Sequence, residues 1–247
     1  MNMNLTLDRN LFTQMGLDSG SLTMLGTLVH SFMKPGEYRG VVHDGPEVKA
    51  VFTISVDNHS PDAQVSIDLA SLVEGTDSAQ PDGAACCPGS GAKSHEPRRF
   101  VVNPRGYVLF HVSKGAGGYY VHVRRADADQ KDMGYDSRSM AEGDVFTAIV
   151  LRPGAYSIVN RSTGAQGELI VAYPKRGERR YQPPAPLRVV CSGKSFEPSR
   201  LKTDPGQGVI FECRAPSRIQ IKLEKPDDGP KATEPVRPKG LLASRPR

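Results

Sequence analysis

The stretch 151-LRPGAYSIVNRSTGAQGELIVAYP-174 decides the fold. Pro153-Gly154 is a turn signal, and the residues after it alternate, with Tyr156 and Ile158 on one side and Ser157 on the other. A short polar loop, 161-RSTGAQ-166, leads to 167-GELIV-171, which reads as a second strand. Strand, turn and strand at this spacing predict two antiparallel β-strands in a mainly β chain, with Tyr156 and Ile158 sharing a buried or half-buried face.

Composition agrees with that reading. The 247 residues include 25 Gly and 20 Pro, the usage of short strands joined by turns, and are enough to bury a core. Tryptophan is absent and aromatic content is 6%, so the expected core rests on Val, Ile and Leu. The opening MNMNLTLDRNLFTQ lacks a basic segment followed by an unbroken apolar run, so no secretory signal is read. The apolar stretch 21–32 is shorter than the roughly 20 residues of a membrane span. The expected compartment is the cytoplasm, with the four Cys as thiols.

Charge is uneven. Residues 175–247 carry 17 Lys+Arg against 8 Asp+Glu, a balance of +9, and residues 1–174 carry −4. A solvated tail and an acidic partner both fit that asymmetry.

Along the chain, residues 1–33 read as an N-terminal helical segment. From Leu22 the apolar positions 22, 25, 29 and 32 have helical spacing, with Ser21 as its N-cap. A first β region, 34–73, contains strands at 38–43, 48–56 and 64–69. Residues 74–99 read as a flexible linker. A second β region, 100–174, holds strands at 100–102, 107–112, 119–124, 144–151, 154–160 and 168–173, with a polar excursion over 126–142. A third β region, 175–224, follows a proline break and has strands at 187–191, 209–213 and 219–223. Residues 225–247 read as an extended basic tail, because Pro at 226, 230, 235, 238 and 246 opposes helix and sheet alike. The segments 34-KPGEYRGVV-42 and 152-RPGAYSIVN-160 echo each other. Internal duplication and independent use of a common turn both explain that.

The frame 153-PGAYSIVN-160, loop, 167-GELIV-171 resembles the last two strands of the cupredoxins over about twenty residues. The segments 100-FVVNPRGYVLFHV-112 and 196-FEPSRLKTDPGQGVIFEC-213 are similar to cupredoxin strands as well. The resemblance implies the sandwich and not the metal. Asn160 stands where the ligand thiolate would be, and 161-RSTGAQ-166 holds neither His nor Met. His111 and His122, on neighbouring predicted strands, read as core-edge or surface residues.

Other chemistry is thin. Cys86 and Cys87, adjacent on a Gly-rich loop with His95 nearby, are the candidates for a soft metal or a redox role, although zinc would need four ligands at other spacings. The loop 89-GSGAKS-94 lacks the spacing of a phosphate-binding loop. Asp127, Asp129, Asp132 and Asp136 lack the Gly and terminal Glu of a calcium loop. Cys191 and Cys213 could face each other as a disulfide or lie buried as thiols. Few aromatics accompany the basic residues of the last third, which disfavours nucleic acid.

The function expected from sequence is non-enzymatic and without cofactor: a β-sandwich subunit, cupredoxin-like or immunoglobulin-like, that binds other protein surfaces. Lys225, Lys231, Arg237, Lys239, Leu241, Leu242, Arg245 and Arg247 would dock its tail on an acidic partner. The competing reading is a metal or redox protein using Cys86 and Cys87.

Overall fold

The computed structural model describes residues 11, 14–77, 97–127, 134–172 and 182–228. Over these the chain is mainly β and sandwich-like. The strands are β1 (Gly16–Asp18), β2 (Gly26–His30), β3 (Gly36–Asp44), β4 (Glu47–Val56), β5 (Gln64–Asp68), β6 (Arg98–Val102), β7 (Tyr107–His111), β8 (Tyr119–Arg125) and β9 (Tyr135–Asp136). They continue with β10 (Val145–Ile149), β11 (Gly154–Asn160), β12 (Gln166–Val171), β13 (Leu187–Cys191), β14 (Phe196–Glu197), β15 (Arg200–Thr203), β16 (Gly208–Cys213) and β17 (Ile219–Pro226). A single helix, α1 (Leu69–Asp77), follows β5.

Alternation builds these strands. On β4, Ala50, Phe52, Ile54 and Val56 are buried, and on β11 Tyr156 and Ile158 are buried as expected, while Ser157 is not. The core departs from expectation in composition. Phe52, Phe110, Phe146, Phe196 and Phe211 are its largest fully buried side chains, so few aromatics suffice because most are placed inside.

Pairing sorts the strands into sheets ordered β6-β4-β3-β8-β9, β1-β17-β11-β12-β15 and β14-β13-β16-β10-β2-β7-β5. The sheets are mixed rather than antiparallel throughout, since β4–β6, β5–β7, β12–β15 and β13–β16 run parallel. The long connections between these partners permit crossovers that tight hairpins could not make.

The pairings occur twice. In the first half β3 pairs with β4 and β8, β4 with β6, β5 with β7, and β2 with β7. In the second half β11 pairs with β12 and β17, β12 with β15, β13 with β16, and β10 with β16, each in the same sense. The echo of 34–42 in 152–160 therefore extends to these five strand pairs in each half, whereas α1 and β14 have no counterpart among the described residues. Tyr38 donates to the Lys34 carbonyl at 2.8 Å, and Tyr156 to the Arg152 carbonyl at 2.7 Å. The halves join where β2 lies antiparallel to β10, with Leu28 opposite Phe146. That pair marks a pseudo-two-fold axis, and the seven-stranded sheet crosses it unbroken.

The halves also exchange their opening strands. β1 closes the second half by pairing with β17, and β9 closes the first by pairing with β8. The signature is Gly16-Leu17-Asp18-Ser19 against Gly134-Tyr135-Asp136-Ser137. Both glycines are required by close approach: a Cβ would stand 2.4 Å from the Ile221 carbonyl oxygen at Gly16 and 2.0 Å from that of Val123 at Gly134. Both serines are fully buried, and each hydroxyl accepts a backbone N–H, from Ile219 at 3.0 Å and from Val121 at 2.9 Å.

Four expectations need correction. Residues 21–32 form no helix, and 26–30 are β2. Leu22, Met24, Gly26 and Leu28 are buried at a period of two, which their spacing also permits, and β-branched Thr27 and Val29 favour the strand. Residues 69–77, read as strand end and linker, form α1, whose first turn is capped by the Asp68 carboxylate accepting from the Ala70 amide at 3.2 Å. The tail expected from Lys225 begins later, because β17 runs to Pro226 with Lys225 opposite Ala155. The polar excursion at 126–142 contains β9, and Met140 within it is fully buried.

Candidate functional site at the seam

Where β2 ends, His30 meets Asp144, the residue just ahead of β10. Its Nδ1 lies 2.6 Å from Asp144 Oδ1. A carboxylate only accepts, so Nδ1 carries the proton and Nε2 is the acceptor of the neutral ring. Asp144 is buried, and its other oxygen accepts the Ala141 amide at 2.7 Å. A buried carboxylate so committed orients the imidazole.

The imidazole belongs to an aromatic cluster. It stacks on Tyr135 of β9 with centroids 4.2 Å apart and meets Phe32 edge-on at 4.6 Å, and Phe32 lies 5.0 Å from Tyr38. These residues, with Lys34, Arg125 and Asp136, line a cavity of about 330 Å³. Two buried donors in its wall lack hydrogen-bond partners, Tyr135 Oη and Arg125 Nε. Arg125 does meet Asp127: Nη2 donates to Oδ2 at 2.9 Å, whereas Nε, 2.7 Å from Oδ1, is misaligned for donation. Burial, followed by the charges of Asp144 and Asp136, holds the Tyr135 phenol well above its ordinary pKa, so it is a donor at neutral pH. Burial acts to raise Asp136, but hydrogen bonds from the Arg138 side chain and backbone outweigh it and lower the carboxyl below its usual value.

The pseudo-two-fold carries this cavity onto a second one. Gly16, Leu17, Val150, Arg152 and Tyr156 take the places of Gly134, Tyr135, Phe32, Lys34 and Tyr38. Only about 20 Å³ is open there, and Leu11 and Gln14 of the N-terminal segment line it. The Gln14 amide donates to the Gly16 carbonyl at 3.0 Å and to the Thr23 hydroxyl. One notch is nearly filled and lined mainly by apolar groups; the other is open and lined by polar and apolar groups in similar measure.

The residues singled out by sequence lie elsewhere. Cys86, Cys87 and His95 fall outside the described residues, as do Lys231, Arg237, Lys239, Leu241, Leu242, Arg245 and Arg247. Among the described residues no three His, Cys, Asp or Glu side chains are grouped as metal ligands. Asn160 is buried and committed: its amide donates to Ser217 Oγ at 3.0 Å and accepts from the Ser162 and Arg218 amides at 3.0 and 3.1 Å. His111 and His122 belong to different sheets, on β7 and β8. Arg124 donates to His122 at 3.2 Å. Cys191 and Cys213 are opposite each other on β13 and β16 as buried thiols. Their mutual hydrogen bond, reinforced by burial, raises the Cys191 thiol far above its ordinary value.

His30, Asp144 and Tyr135 escaped the sequence reading. A usable signal was present in the recurrence of Gly-x-Asp-Ser at 16–19 and 134–137, which aligns the halves and exposes where they differ. No protein family, curated protein or solved structure matches this chain. No helix among the described residues is long and apolar enough to cross a membrane.

Proposed function

We propose that this protein is a non-enzymatic subunit of a larger assembly, built from two fused cupredoxin-like sandwiches and acting by binding other protein surfaces. The Pro-Gly-x-Tyr frame, present once per half, supports the cupredoxin-like reading. Val42 and Asn160 occupy the position that a ligand thiolate would take in each half.

The observation that carries the proposal is the outer face of the seven-stranded sheet. Leu28, Phe110, Phe146 and Phe211 point inward and are buried, so their neighbours point outward by the strand period. Across the seam Val29 lies between Val145 and Leu109, and Thr147 between Thr27 and Ile210. Tyr107 and Ile149 of the same face are 42% and 36% exposed. Six strands of about five residues, with the two-residue β14 at one edge, present roughly 30 by 17 Å. That is about 500 Å², somewhat over half of one side of a standard interface. The partner this fits is a subunit with a flat apolar patch. The basic residues after Asp228, around Leu241-Leu242, would supply the remaining contact against acidic groups at its edge.

The test is native mass of the protein isolated from its own host, wild type against a Val29→Lys, Ile210→Lys double variant. The reading expects an assembly that the variant loses at an unchanged melting temperature. A single-chain mass for the wild type would end it. Truncation after Asp228 should weaken the same assembly at low salt, and the difference from the full chain should shrink as salt rises.

A further inference from the structure

Cross-strand pairing on the outer face of the β6-β4-β3-β8-β9 sheet builds a row of uncompensated positive charge. Phe52, Ile54, Val121 and Val123 point inward and are buried, so Thr53 and Arg124 point outward, as does Arg39 between buried Tyr38 and Gly40. Register sets Arg99 beside Thr53, Thr53 beside Arg39, and Arg39 directly opposite Arg124. Like charges directly opposite on antiparallel strands are destabilising, so a sheet serving only the fold would avoid this pair. Both arginines are exposed. The Arg39 side chain makes no ion pair or hydrogen bond among the described residues. Arg124 has only Nε engaged, donating to His122 Nε2 at 3.2 Å. The acids of the flanking rows are already taken. Glu37 accepts from Arg99 at 2.6 Å and from Ser55 at 2.8 Å, and Asp136 is held by the Arg138 guanidinium, with Nη2–Oδ2 at 2.7 Å. The matching row of the second half is Arg200, Glu168, Ser157 and Lys222. There an acid replaces Thr53 and pairs with Arg200 at 3.6 Å, and a serine replaces Arg39.

We propose that this row is a docking surface for an acidic segment of a partner protein, whose carboxylates bridge Arg39 and Arg124. Charge complementarity identifies the occupant. Two adjacent guanidinium forks without an acceptor match neighbouring Asp or Glu side chains, which they hold by charge-assisted hydrogen bonds. Three strand spacings make the row about 14 Å long, the reach of four or five extended residues. Val41 and Val51, paired in the adjacent row and half-buried, give the segment an apolar strip to lie along. A nucleic-acid strand fits less well. Tyr120, on the same face, is already stacked on His43 at 4.7 Å and lies under the Arg138 guanidinium at 4.2 Å. No tyrosine or phenylalanine among the described residues of this face is left for base stacking. The row lies on a different sheet from the seven-stranded face, so this contact goes beyond the assembly proposed above and can fail without it.

The test titrates the full chain at low salt with an acetylated hexaglutamate peptide and with a hexathymidylate strand, followed by ¹H-¹⁵N chemical shifts. Saturable binding of hexaglutamate is expected, with shifts at Arg39, Thr53 and Arg124 and an affinity that falls as salt rises. Read from those shifts, Arg39→Gln and Arg124→Gln should each weaken binding about threefold and together about tenfold. Lys222→Gln, at the matching place in the second half, should leave it unchanged. Basic residues after Asp228 also attract acids, so hexaglutamate binding indifferent to the double variant belongs to them and would overturn the site. No saturable shift at Arg39 and Arg124 would overturn it as well. Arg39→Gln alone should raise the urea midpoint slightly at low salt, by relieving the like-charge pair. A lowered midpoint would assign the arginine to the fold and remove the ground for docking. Tighter binding of hexathymidylate, lost in the same double variant, would overturn the protein segment in favour of a nucleic acid.

Discussion

In the first half Gly40 of β3 lies opposite Phe52 of β4; in the second half the corresponding pair is Ile158 and Gly167, large and small exchanged across the same two strands. A Cβ on Gly40 would come within 2.1 Å of the Phe52 ring. One frame accepts either solution, because interiors are close-packed and only the combined volume at the site is constrained. The notch at the seam behaves differently. There the change between halves runs from alkyl to ionisable and hydrogen-bonding groups, which volume compensation does not explain. Exchanges that conserve volume are packing, whereas the exchange at the seam replaces alkyl groups by the hydrogen-bonded His30–Asp144 pair.

The comparison can be broken most forcefully at Ile158, which is fully buried. Ile158→Asp should destabilise by about 4 kcal/mol or more, through an unpaired buried charge and lost apolar burial. A soluble variant with an unchanged urea midpoint would show the inner face of β11 misassigned. Next comes the exchange itself. Gly40→Ile should cost about 3 kcal/mol by overpacking and Phe52→Gly a similar amount or more by leaving a cavity. Made together they should cost less than their sum by about 2 kcal/mol, and strict additivity would refute the compensation.

Smaller effects sharpen the contrast. Asn160→Val installs the side chain found at Val42, yet it should cost about 2 kcal/mol because the Ser217 hydroxyl and two amides lose their partner. The smallest is electrostatic. Arg138 lowers the Asp136 carboxyl below its ordinary value of 3.8, so the folded state favours the ionised form. That stabilisation is complete above the unfolded value and disappears as pH falls through the lowered folded one. For a partly exposed pair it is below about 1 kcal/mol. Arg138→Ala should therefore lower the urea midpoint slightly near neutral pH, with the gap from wild type closing as pH falls below the ordinary carboxylate value. A gap independent of pH would assign the loss to packing over Tyr120, whose ring centroid is 4.2 Å from the guanidinium.

Strands with clean alternation, such as 48–56 and 154–160, were legible in the sequence because one face must be buried. Residues 21–32 were not, since Leu22, Leu25, Val29 and Phe32 satisfy a helical period while Leu22, Met24 and Leu28 satisfy a strand period. Only pairing with β7 and β10 decides between them. The site was illegible for a related reason. His30 and Asp144 are far apart in the chain and carry no motif, and β9 is two residues long inside a polar segment. They come together only through the strand exchange and the β2–β10 pairing.

The exchanged opening strand also sets how the protein bears load. β1 runs antiparallel to β17, with Gly16 opposite Lys222 and Asp18 opposite Gln220, so the chain enters β1 at the end of the ladder from which β17 departs. A pull on the two ends of the chain therefore opens that ladder as a zipper, one hydrogen bond at a time, rather than shearing its bonds together. The matching β8–β9 ladder is internal and feels no such pull at first. Stretching from the termini should release the β1 edge of the second half at low force, while the first half, of the same topology, resists until the seam itself gives way.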